Sequence, residues 1–383
     1  MQISEDRQKP ATTLGITIAA HFVNDGLDTV LPLIVPILMI LHSLSLFEAG
    51  LMMTSYSATT LVFQPLLVYV ADITRHKKVC LASGLVLMGL SLCLIQFAPS
   101  LLWILLFAFV AGIGYSIYHP VAMSFVNMAY MERRGFGLGF HGLGGSLGRG
   151  VYPTVLGILL AVYGLGEALI FTLGMALFAA ILVLNLPAVA GRREAVKFSL
   201  TSTYVILITG VNHLLRNVFY GGIVNFVPIY LVRELHQDMA AAGVATSMML
   251  ILGIVSQPLG GHLSDRIGRR AVLGMSCLLM GVFFILFLWI SYPVSLILLS
   301  LVGFSIFLGF PLPYAVIGDH VSKESMSTAL GIVSGMASVG GIIAPLFVGR
   351  LGDQYGLGNA MFFVSFFAFA ASGVCLLLPR SSA

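Results

Sequence analysis

Charge is scarce along this chain of 383 residues: only 9% of the residues are charged, whereas 58% are hydrophobic. A soluble domain carries about 25% charged residues. The composition therefore excludes a soluble enzyme, an intrinsically disordered protein and a nucleic-acid-binding protein. The formal net charge of +4 indicates no particular ligand, and we expect lipid to solvate the chain.

The apolar residues form long continuous runs, which predict transmembrane helices because a helical span needs about 20 apolar residues. The strands of an outer-membrane barrel would instead give segments of about 10 residues with alternating polarity. Charged residues, prolines and glycines divide the runs into twelve segments. In chain order these segments are 13–41, 48–71, 78–98, 100–128, 136–163, 166–188, 203–232, 240–264, 271–291, 293–318, 326–350 and 358–379.

A long polar stretch at 189–202 interrupts this series after the sixth segment. It predicts an N-terminal six-helix bundle at 1–188, a cytoplasmic linker at 189–202 and a C-terminal six-helix bundle at 203–383. The expected fold class is therefore an all-α membrane protein, with twelve transmembrane helices in two pseudo-symmetric bundles of six.

The distribution of lysine and arginine predicts the orientation, because basic residues concentrate in cytoplasmic loops. With the N-terminus inside, 15 of the 19 basic residues lie in inner loops or termini, and only Arg233 and Arg350 lie in outer loops. Twelve spans then place both termini in the cytoplasm. The absence of a targeting segment and of an Asn-x-Ser/Thr acceptor favours a plasma (inner) membrane location.

The two halves of the chain repeat each other in sequence. Residues 64–79 align with residues 257–272, with five of 16 positions identical, and both stretches begin Gln-Pro-Leu. Duplicated six-span halves are typical of transporters that bind their substrate between the repeats. The repeat therefore predicts a secondary transporter, and we expect no enzymatic activity.

The second copy of the repeat contains a charged loop motif between segments 8 and 9. The motif is Gly261-His-Leu-Ser-Asp265-Arg266-Ile-Gly268-Arg269-Arg270. It resembles the loop signature of the major facilitator superfamily, which implies the twelve-span fold and a role for these residues in gating. In the first copy Asp72 is kept, whereas both glycines are replaced.

Further motifs resemble the fosmidomycin-resistance branch of that superfamily, whose members are described as drug or antibiotic exporters. They are His21-Phe-Val-Asn24-Asp25, Gln64-Pro65, Gly112-Ile-Gly114-Tyr-Ser-Ile-Tyr118-His119-Pro120, and Arg134-Gly135 leading into Gly144-Gly145. The resemblance implies efflux of a drug-like compound in exchange for protons. Arg149 departs from the small residue expected at its position in the branch.

Asp72 and Asp265 lie at the inner ends of spans, where a carboxylate can accept hydrogen bonds from the N-terminus of a neighbouring helix. The resemblance implies that Asp265 contacts span 5 near Gly135 and Phe136, and that Asp72 contacts the start of span 11 at 325–328. Such latches would hold the inner side closed and break as it opens. Alternatively, each residue is a loop carboxylate that pairs with its own arginine.

Four charged residues fall inside spans: Asp25, Asp28, Arg149 and Arg216. A charge at mid-bilayer costs about 2.5–3.5 kcal/mol even on an insertion scale, so each needs a compensating role. Helical rise places Asp25 roughly 18 Å into its span. The spacing puts His21, Asp25 and Asp28 on one helix face. We expect these three residues to couple transport to protons, with Asp25 as the first choice; alternatively, the acids and arginines are structural ion pairs.

Polar and aromatic residues near these charges are expected to bind the substrate. Pro120 removes a backbone hydrogen bond and kinks span 4, so Tyr115, Tyr118 and His119 are expected to line a cavity. Spans 1, 4, 5, 7 and 10 are expected to form its walls. The candidate substrate-binding residues are Asn24, Tyr118, His119, Arg149, Tyr152, Asn212, His213, Arg216, Asn217, Tyr220 and Tyr314. His141, about two turns from the inner surface, is expected to be peripheral. No residues have metal-ligand spacing, and neither a metal nor a cofactor is expected.

Three functions are compatible with these features. The first, which we favour, is proton-coupled antiport that exports a drug-like or small metabolite compound. The second is transport of a small organic anion recognised by Arg149 and Arg216. The third is a non-transporting membrane receptor or scaffold. The expected partners are a small-molecule substrate, protons and the lipid bilayer, with no nucleic acid, and the protein is expected to be a monomer.

Overall fold

The computed structural model describes residues 10–74, 76–187, 203–322 and 325–379. Within these ranges twelve helical stretches are long and apolar enough to cross a membrane. They confirm the twelve predicted segments, which end within a few residues of the observed helices, and the all-α fold class. The predicted linker at 189–202 lies outside the described residues, so the division of the chain at that point stays a prediction.

Eight of the spans in the described ranges are single helices. They are span 2 (Leu46–Thr74), span 3 (Lys77–Leu94, extended by a 3-10 turn at Ile95–Phe97), span 5 (Arg134–Val162), span 6 (Leu165–Leu184), span 7 (Thr203–Arg233), span 9 (Arg269–Trp289), span 11 (Met326–Tyr355) and span 12 (Leu357–Cys375). Short connections join several neighbouring spans. Gly164, Gly268 and Gly356 adopt positive φ in such connections, a conformation that glycine reaches without strain.

The remaining four spans are interrupted near their middle. They are span 1 (Pro10–Asp28 and Val30–His42), span 4 (Leu101–Ser116 and Tyr118–Ala129), span 8 (Met239–Ile251 and Gly253–Ile267) and span 10 (Ser295–Leu308 and Leu312–His320). Proline explains the first two breaks, because Pro32 and Pro120 offer no N–H group to the carbonyls four residues earlier. Those carbonyls belong to Asp28 and Ser116. The predicted kink of span 4 is confirmed.

The two halves touch along two antiparallel helix pairs, span 5 with span 8 and span 2 with span 11. Each pair is in contact at one end. There Gly157 of span 5 packs against Gly243 of span 8, and Gly50 of span 2 packs against the backbone carbonyl of Pro345 in span 11. Small residues at these points let the helix backbones approach closely. We call this side of the protein the closed side.

At the opposite end of both pairs the helices have separated. A Cβ atom added to Gly139 of span 5 or to Gly261 of span 8 would meet no described atom within 4 Å. The same holds for Gly331 and Gly335 of span 11. We call this the open side; it is also the side on which span 1 begins.

An acidic residue from the C-terminal half completes a helix cap in the N-terminal half on the closed side. The carboxylate of Asp353 accepts hydrogen bonds from the backbone N–H groups of Leu46 at 2.8 Å and Phe47 at 2.9 Å. Ser45 Oγ accepts from the Glu48 N–H at 3.1 Å, while the Glu48 carboxylate accepts from the Ser45 N–H at 2.8 Å. This capping box and Asp353 together satisfy the N–H groups that a helix N-terminus leaves unpaired.

Asp353→Asn is expected to loosen the closed side, because it removes the negative charge that faces the positive end of the span 2 helix dipole. Loss of a helix cap costs about 1 kcal/mol, which corresponds to about a fivefold shift toward opening on this side. The measurement is the labelling rate of an Asn225→Cys cavity reporter by an impermeant maleimide. Glu234→Gln, on the same side but away from span 2, is the control. Equal labelling rates in all variants would contradict the role of Asp353.

Candidate functional site

A cavity of about 640 Å³ lies between the two halves. Its walls come from spans 1, 2, 4 and 5 of the N-terminal half and from the corresponding spans 7, 8, 10 and 11 of the C-terminal half. This volume suits a drug-sized ligand. The cavity thus lies between the sequence repeats, as predicted.

The charge of the cavity wall is concentrated in the N-terminal half, on Asp25, Asp28 and Arg149. Among the described lining residues of the C-terminal half there is no carboxylate, lysine or arginine. That half presents neutral polar and aromatic groups instead: His213, Asn217, Tyr220, Asn225, Gln257, Phe307, Phe310, Tyr314, Ser334 and Ser338.

Asp25 is the centre of the charged cluster. Its carboxylate lies 3.3 Å from His21 Nε2, 3.3 Å from His119 Nε2 and 3.3 Å from Arg149 Nη2. Only 5% of its side chain is exposed. A carboxylate with so little access to water is retained because cationic and hydrogen-bonding groups surround it.

Asp28 has a different environment, although it shares the helix face of Asp25. Its carboxylate lies 3.7 Å from Arg149 Nη2, and 26% of its side chain is exposed to the cavity. Arg149 also donates a hydrogen bond to the Tyr115 hydroxyl at 3.1 Å. Of the two acids, Asp28 is the more exposed to the cavity contents.

Close packing of span 5 against span 1 brings this cluster together. Cβ atoms at Gly144 and Gly148 would collide with the backbone carbonyls of Ile18 and Phe22 in span 1. A Cβ atom at Gly145 would meet the side chains of both Asp25 and His21. The absence of side chains at these glycines lets the two helices approach closely, and this packing places Arg149, one residue beyond Gly148, beside the acids of span 1.

The tautomer of His21 follows from its neighbours. Its Nδ1 lies 2.8 Å from the backbone carbonyl of His141, and because a carbonyl can only accept, Nδ1 carries a hydrogen. The other ring nitrogen faces the carboxylate of Asp25. A second proton on this imidazole is therefore directed at Asp25.

The expectation that His141 is peripheral is wrong. Its side chain is 1% exposed and its ring stacks on that of His21, with 4.2 Å between the ring centroids. Position along the helix predicts only a depth, whereas the burial of His141 comes from sideways packing against span 1. That packing depends on which face of span 5 the glycines occupy.

Six of the candidate substrate-binding residues line the cavity: His119, Arg149, His213, Asn217, Tyr220 and Tyr314. The other candidates do not line it; they are buried and bonded within the protein. Asn24 donates to Asp25 at 3.1 Å, the Tyr118 hydroxyl to the Thr17 carbonyl at 3.0 Å, the Tyr152 hydroxyl to Thr172 at 3.2 Å, and Asn212 to the Ala371 carbonyl at 2.9 Å. Arg216 donates to two backbone carbonyls of span 10.

Several lining residues were missed as site residues in the sequence, notably Gln64 and Gln257. These glutamines occupy equivalent positions in the two copies of the repeat, so the repeat itself held the signal that could have identified them. Tyr56 also lines the cavity. Tyrosines are common in apolar helices, and nothing in the spacing distinguishes this one.

Comparison with known proteins assigns the family. The Major Facilitator Superfamily family model matches residues 17–226 and 205–383. The chain belongs to the major facilitator superfamily. This major facilitator protein is a multi-pass membrane transporter and not an enzyme, as its sequence predicted.

Two curated relatives and one solved structure illustrate the similarity. The uncharacterized MFS-type transporter YfnC of Bacillus subtilis (strain 168) is 27% identical over 94% of this chain and 92% of its own length. The fosmidomycin resistance protein of Escherichia coli (strain K12) is 23% identical over 84% of this chain and 81% of its own. A bacterial homolog of the human lysosomal transporter Spinster, in an inward-facing occupied conformation, has a TM-score of 0.83 and 16% identity over 98% of this chain and 97% of its own. The predicted resemblance to the fosmidomycin-resistance branch is confirmed.

His21, Asp25 and His119 present ligand atoms that all lie within 4.8 Å of one another. The fold, and not the linear spacing, creates this grouping, since His119 comes from a different span. The guanidinium of Arg149 already balances the charge of the Asp25 carboxylate at 3.3 Å. We therefore interpret the group as an ion-pair network, and the expected absence of a metal stays a prediction.

The loop motif of the superfamily lies on the open side. Asp265 forms an ion pair with Arg269, and Arg269 Nε donates to Asp319 of span 10 at 3.2 Å. In this open arrangement Asp265 thus pairs with its own arginine. The latch between Asp265 and span 5 concerns closure of this side and stays a prediction. The side chain of Asp72 lies outside the described residues.

Proposed function

We propose that this transporter exports a drug-like or small metabolite compound in exchange for protons, by alternating access. The observation that carries the proposal is that the cavity wall holds two carboxylates, Asp25 and Asp28, against one guanidinium, Arg149. With both acids ionised, the cluster favours a proton or a cationic group in the cavity. If the cavity holds either the proton or the cationic substrate but not both at once, binding of one displaces the other. The movements of proton and substrate are then coupled.

The two acids have different roles in this proposal. Asp25 has three partners at 3.3 Å, so it stays ionised and holds Arg149 in place. Asp28 has Arg149 as a partner at 3.7 Å and faces the cavity, so it can take up a proton with less loss of electrostatic energy. The geometry therefore favours Asp28 over Asp25 as the proton carrier, and His21 keeps a supporting place beside Asp25.

The open side is the cytoplasmic side in this proposal. The basic residues Arg266, Arg269 and Arg270 lie at this end of spans 8 and 9, and basic residues favour cytoplasmic loops. The cavity is therefore open to the cytoplasm, where a compound to be exported would enter. The substrate displaces the proton of Asp28, the halves rock, and a proton returns to Asp28 on the outer side.

The name of the fosmidomycin resistance protein supports efflux as the direction of transport. The alternative, transport of an organic anion bound by Arg149 and Arg216, has less support from the geometry. Arg149 is engaged by two carboxylates, and Arg216 is 4% exposed and bonded to backbone carbonyls. In this state the charge of Arg149 is balanced by carboxylates, and Arg216 is not among the residues that line the cavity.

The test is flux into proteoliposomes that contain the purified protein. We expect the cation ethidium to accumulate in vesicles with an acidic lumen, because protons leave as ethidium enters. A gradient of one pH unit is worth about 1.4 kcal/mol, so a one-to-one exchange concentrates ethidium up to about tenfold. Vesicles without a gradient and vesicles without protein are the controls.

The competing functions predict different outcomes in the same vesicles. Uptake of the phosphonate anion fosmidomycin in preference to ethidium would favour the anion transporter. Ethidium binding without flux, with or without the gradient, would favour the non-transporting receptor. Ethidium flux that ignores the gradient would contradict proton coupling while leaving transport established.

A further inference from the structure

Arg216 is a buried cation for which the described residues offer no carboxylate partner. Its side chain lies in span 7 and is 4% exposed. Nη1 donates to the carbonyl of Gly309 at 2.9 Å, and Nη2 donates to the carbonyl of Ile306 at 2.9 Å. Ile306 lies in the last turn before the interruption of span 10 and Gly309 lies in the interruption, so this guanidinium bonds to the backbone of another helix at the point where that helix breaks.

The backbone of span 10 explains why these two carbonyls can accept hydrogen bonds from a side chain. In a continuous helix each would accept from the N–H group four residues later. Pro313 has no N–H group for Gly309, whose carbonyl accepts instead a longer hydrogen bond, at 3.3 Å, from the Leu312 N–H. The N–H of Phe310 donates to Phe307 at 3.1 Å and so does not serve Ile306. Arg216 supplies a donor to both carbonyls, and buried backbone carbonyls are rarely left unpaired.

Electrostatics favour the same arrangement. Ile306 and Gly309 lie at the C-terminal end of the helix Ser295–Leu308, where the carbonyl groups give the helix dipole its negative end. A cation at a helix C-terminus is stabilised by that dipole. The dipole and the two carbonyls together stabilise the positive charge of Arg216, as a carboxylate stabilises that of Arg149.

The interruption that Arg216 holds carries part of the cavity wall. Phe307 and Phe310 lie within or beside it, Tyr314 follows on the next helix, and all three line the cavity. A Cβ atom at Gly309 would collide with Ser276 and come within 3.0 Å of Arg216. The position of this wall therefore depends on a close fit around the guanidinium.

We propose that Arg216 is a positioning residue that fixes the break in span 10 and the aromatic wall carried by it. In this role it does not contact the substrate. Its charge is required for two charge-assisted hydrogen bonds to backbone, which explains why a permanent cation is retained in mid-membrane with no acid beside it among the described residues.

A distance measurement tests this role without any substrate, so its outcome is independent of the proposed proton-coupled export. Spin labels are placed at Tyr314→Cys and Thr60→Cys in a variant without native cysteines, and electron-electron distances are measured. We expect Arg216→Gln to replace a single narrow distance by a broad distribution, and Arg216→Lys to restore much of the narrow distribution. Gly309→Ala is expected to resemble Arg216→Gln, which keeps the test decisive where Arg216→Gln fails to fold.

The control pair carries labels at Val224→Cys and Thr60→Cys. Span 7 is a separate and uninterrupted helix, so the distance between these two labels is expected to stay unchanged. Unchanged distances for both pairs would overturn the proposal, as would equal broadening of both pairs. In counterflow, we expect Arg216→Gln to lower turnover about tenfold for the cation ethidium and the neutral probe chloramphenicol alike, as expected when a hydrogen bond to a charged group is lost. A loss confined to anionic probes would show instead that Arg216 binds substrate.

Discussion

Asp28→Asn is expected to free transport from its dependence on pH while the protein still exchanges substrate across the membrane. The amide has nearly the shape of the carboxyl group but cannot bind and release a proton. Uptake driven by a gradient of one pH unit should fall by up to about tenfold, to the level seen without a gradient. Counterflow of labelled against unlabelled ethidium moves no net protons and should continue.

The neighbouring acid provides the matched control. Asp25→Asn removes the carboxylate that lies 3.3 Å from Arg149, His21 and His119. Breaking a buried ion pair from one side costs about 3–5 kcal/mol, so we expect this variant to lose counterflow as well as gradient-driven uptake. If Asp25→Asn removes only the pH dependence and Asp28→Asn retains it, the two roles are the reverse of those proposed.

A second large effect is expected from a cross-link across the open side. A disulfide between Gly139→Cys of span 5 and Gly261→Cys of span 8 should form only when that side closes, and it should then stop transport. In the present state each position faces open space, and a disulfide needs Cα atoms within about 7 Å. The measurement is oxidant-dependent loss of ethidium flux, restored by a reductant.

The choice of this pair follows from the register of spans 5 and 8 at the closed end. Gly157 meets Gly243, and Gly150 packs against Ile251. Spans 5 and 8 are therefore antiparallel, and their contacting residues advance along the two helices by nearly equal numbers of residues. Continued toward the open side, the same register brings Gly139 opposite Gly261. One turn further, Asp265 comes opposite the start of span 5, which is the predicted latch.

The control is a pair at the other end of the same helices. The Thr154 N–H donates to Ser247 Oγ at 2.9 Å, so Thr154→Cys with Ser247→Cys should cross-link in the present open state. If the halves rock against each other, oxidation of either cysteine pair is expected to stop transport. Continued flux with the Gly139–Gly261 pair fully oxidised would contradict alternating access at this seam.

The helices and one face of the site were predictable because they depend on local sequence. Apolar runs give the spans, and the spacing of His21, Asp25 and Asp28 gives a shared helix face; all three do line the cavity. The partner of these acids could not be predicted in the same way. Arg149 and Arg216 have similar depth, and only the packing of each helix decides which guanidinium faces span 1.

Contacts between distant helices account for the remaining differences. Asp353 has no distinguishing local signal, because a carboxylate near a span end resembles any loop acid until the start of span 2 lies against it. His141 is buried by its neighbour and not by its depth. Arg216 was expected in the cavity because a buried cation suggests a ligand, whereas a broken helix can supply the same negative potential.

Span 5 has one further property that follows from the positions of two adjacent residues. Arg149 meets the acids of span 1 on one side of this helix, while Gly150 packs against Ile251 of span 8, next to the interruption of that span, on the other. The charged cluster and the contact surface between the two halves therefore lie one residue apart on the same helix. A movement of Arg149 that follows a change in the charge of the acids is expected to shift the Gly150 backbone at that contact surface.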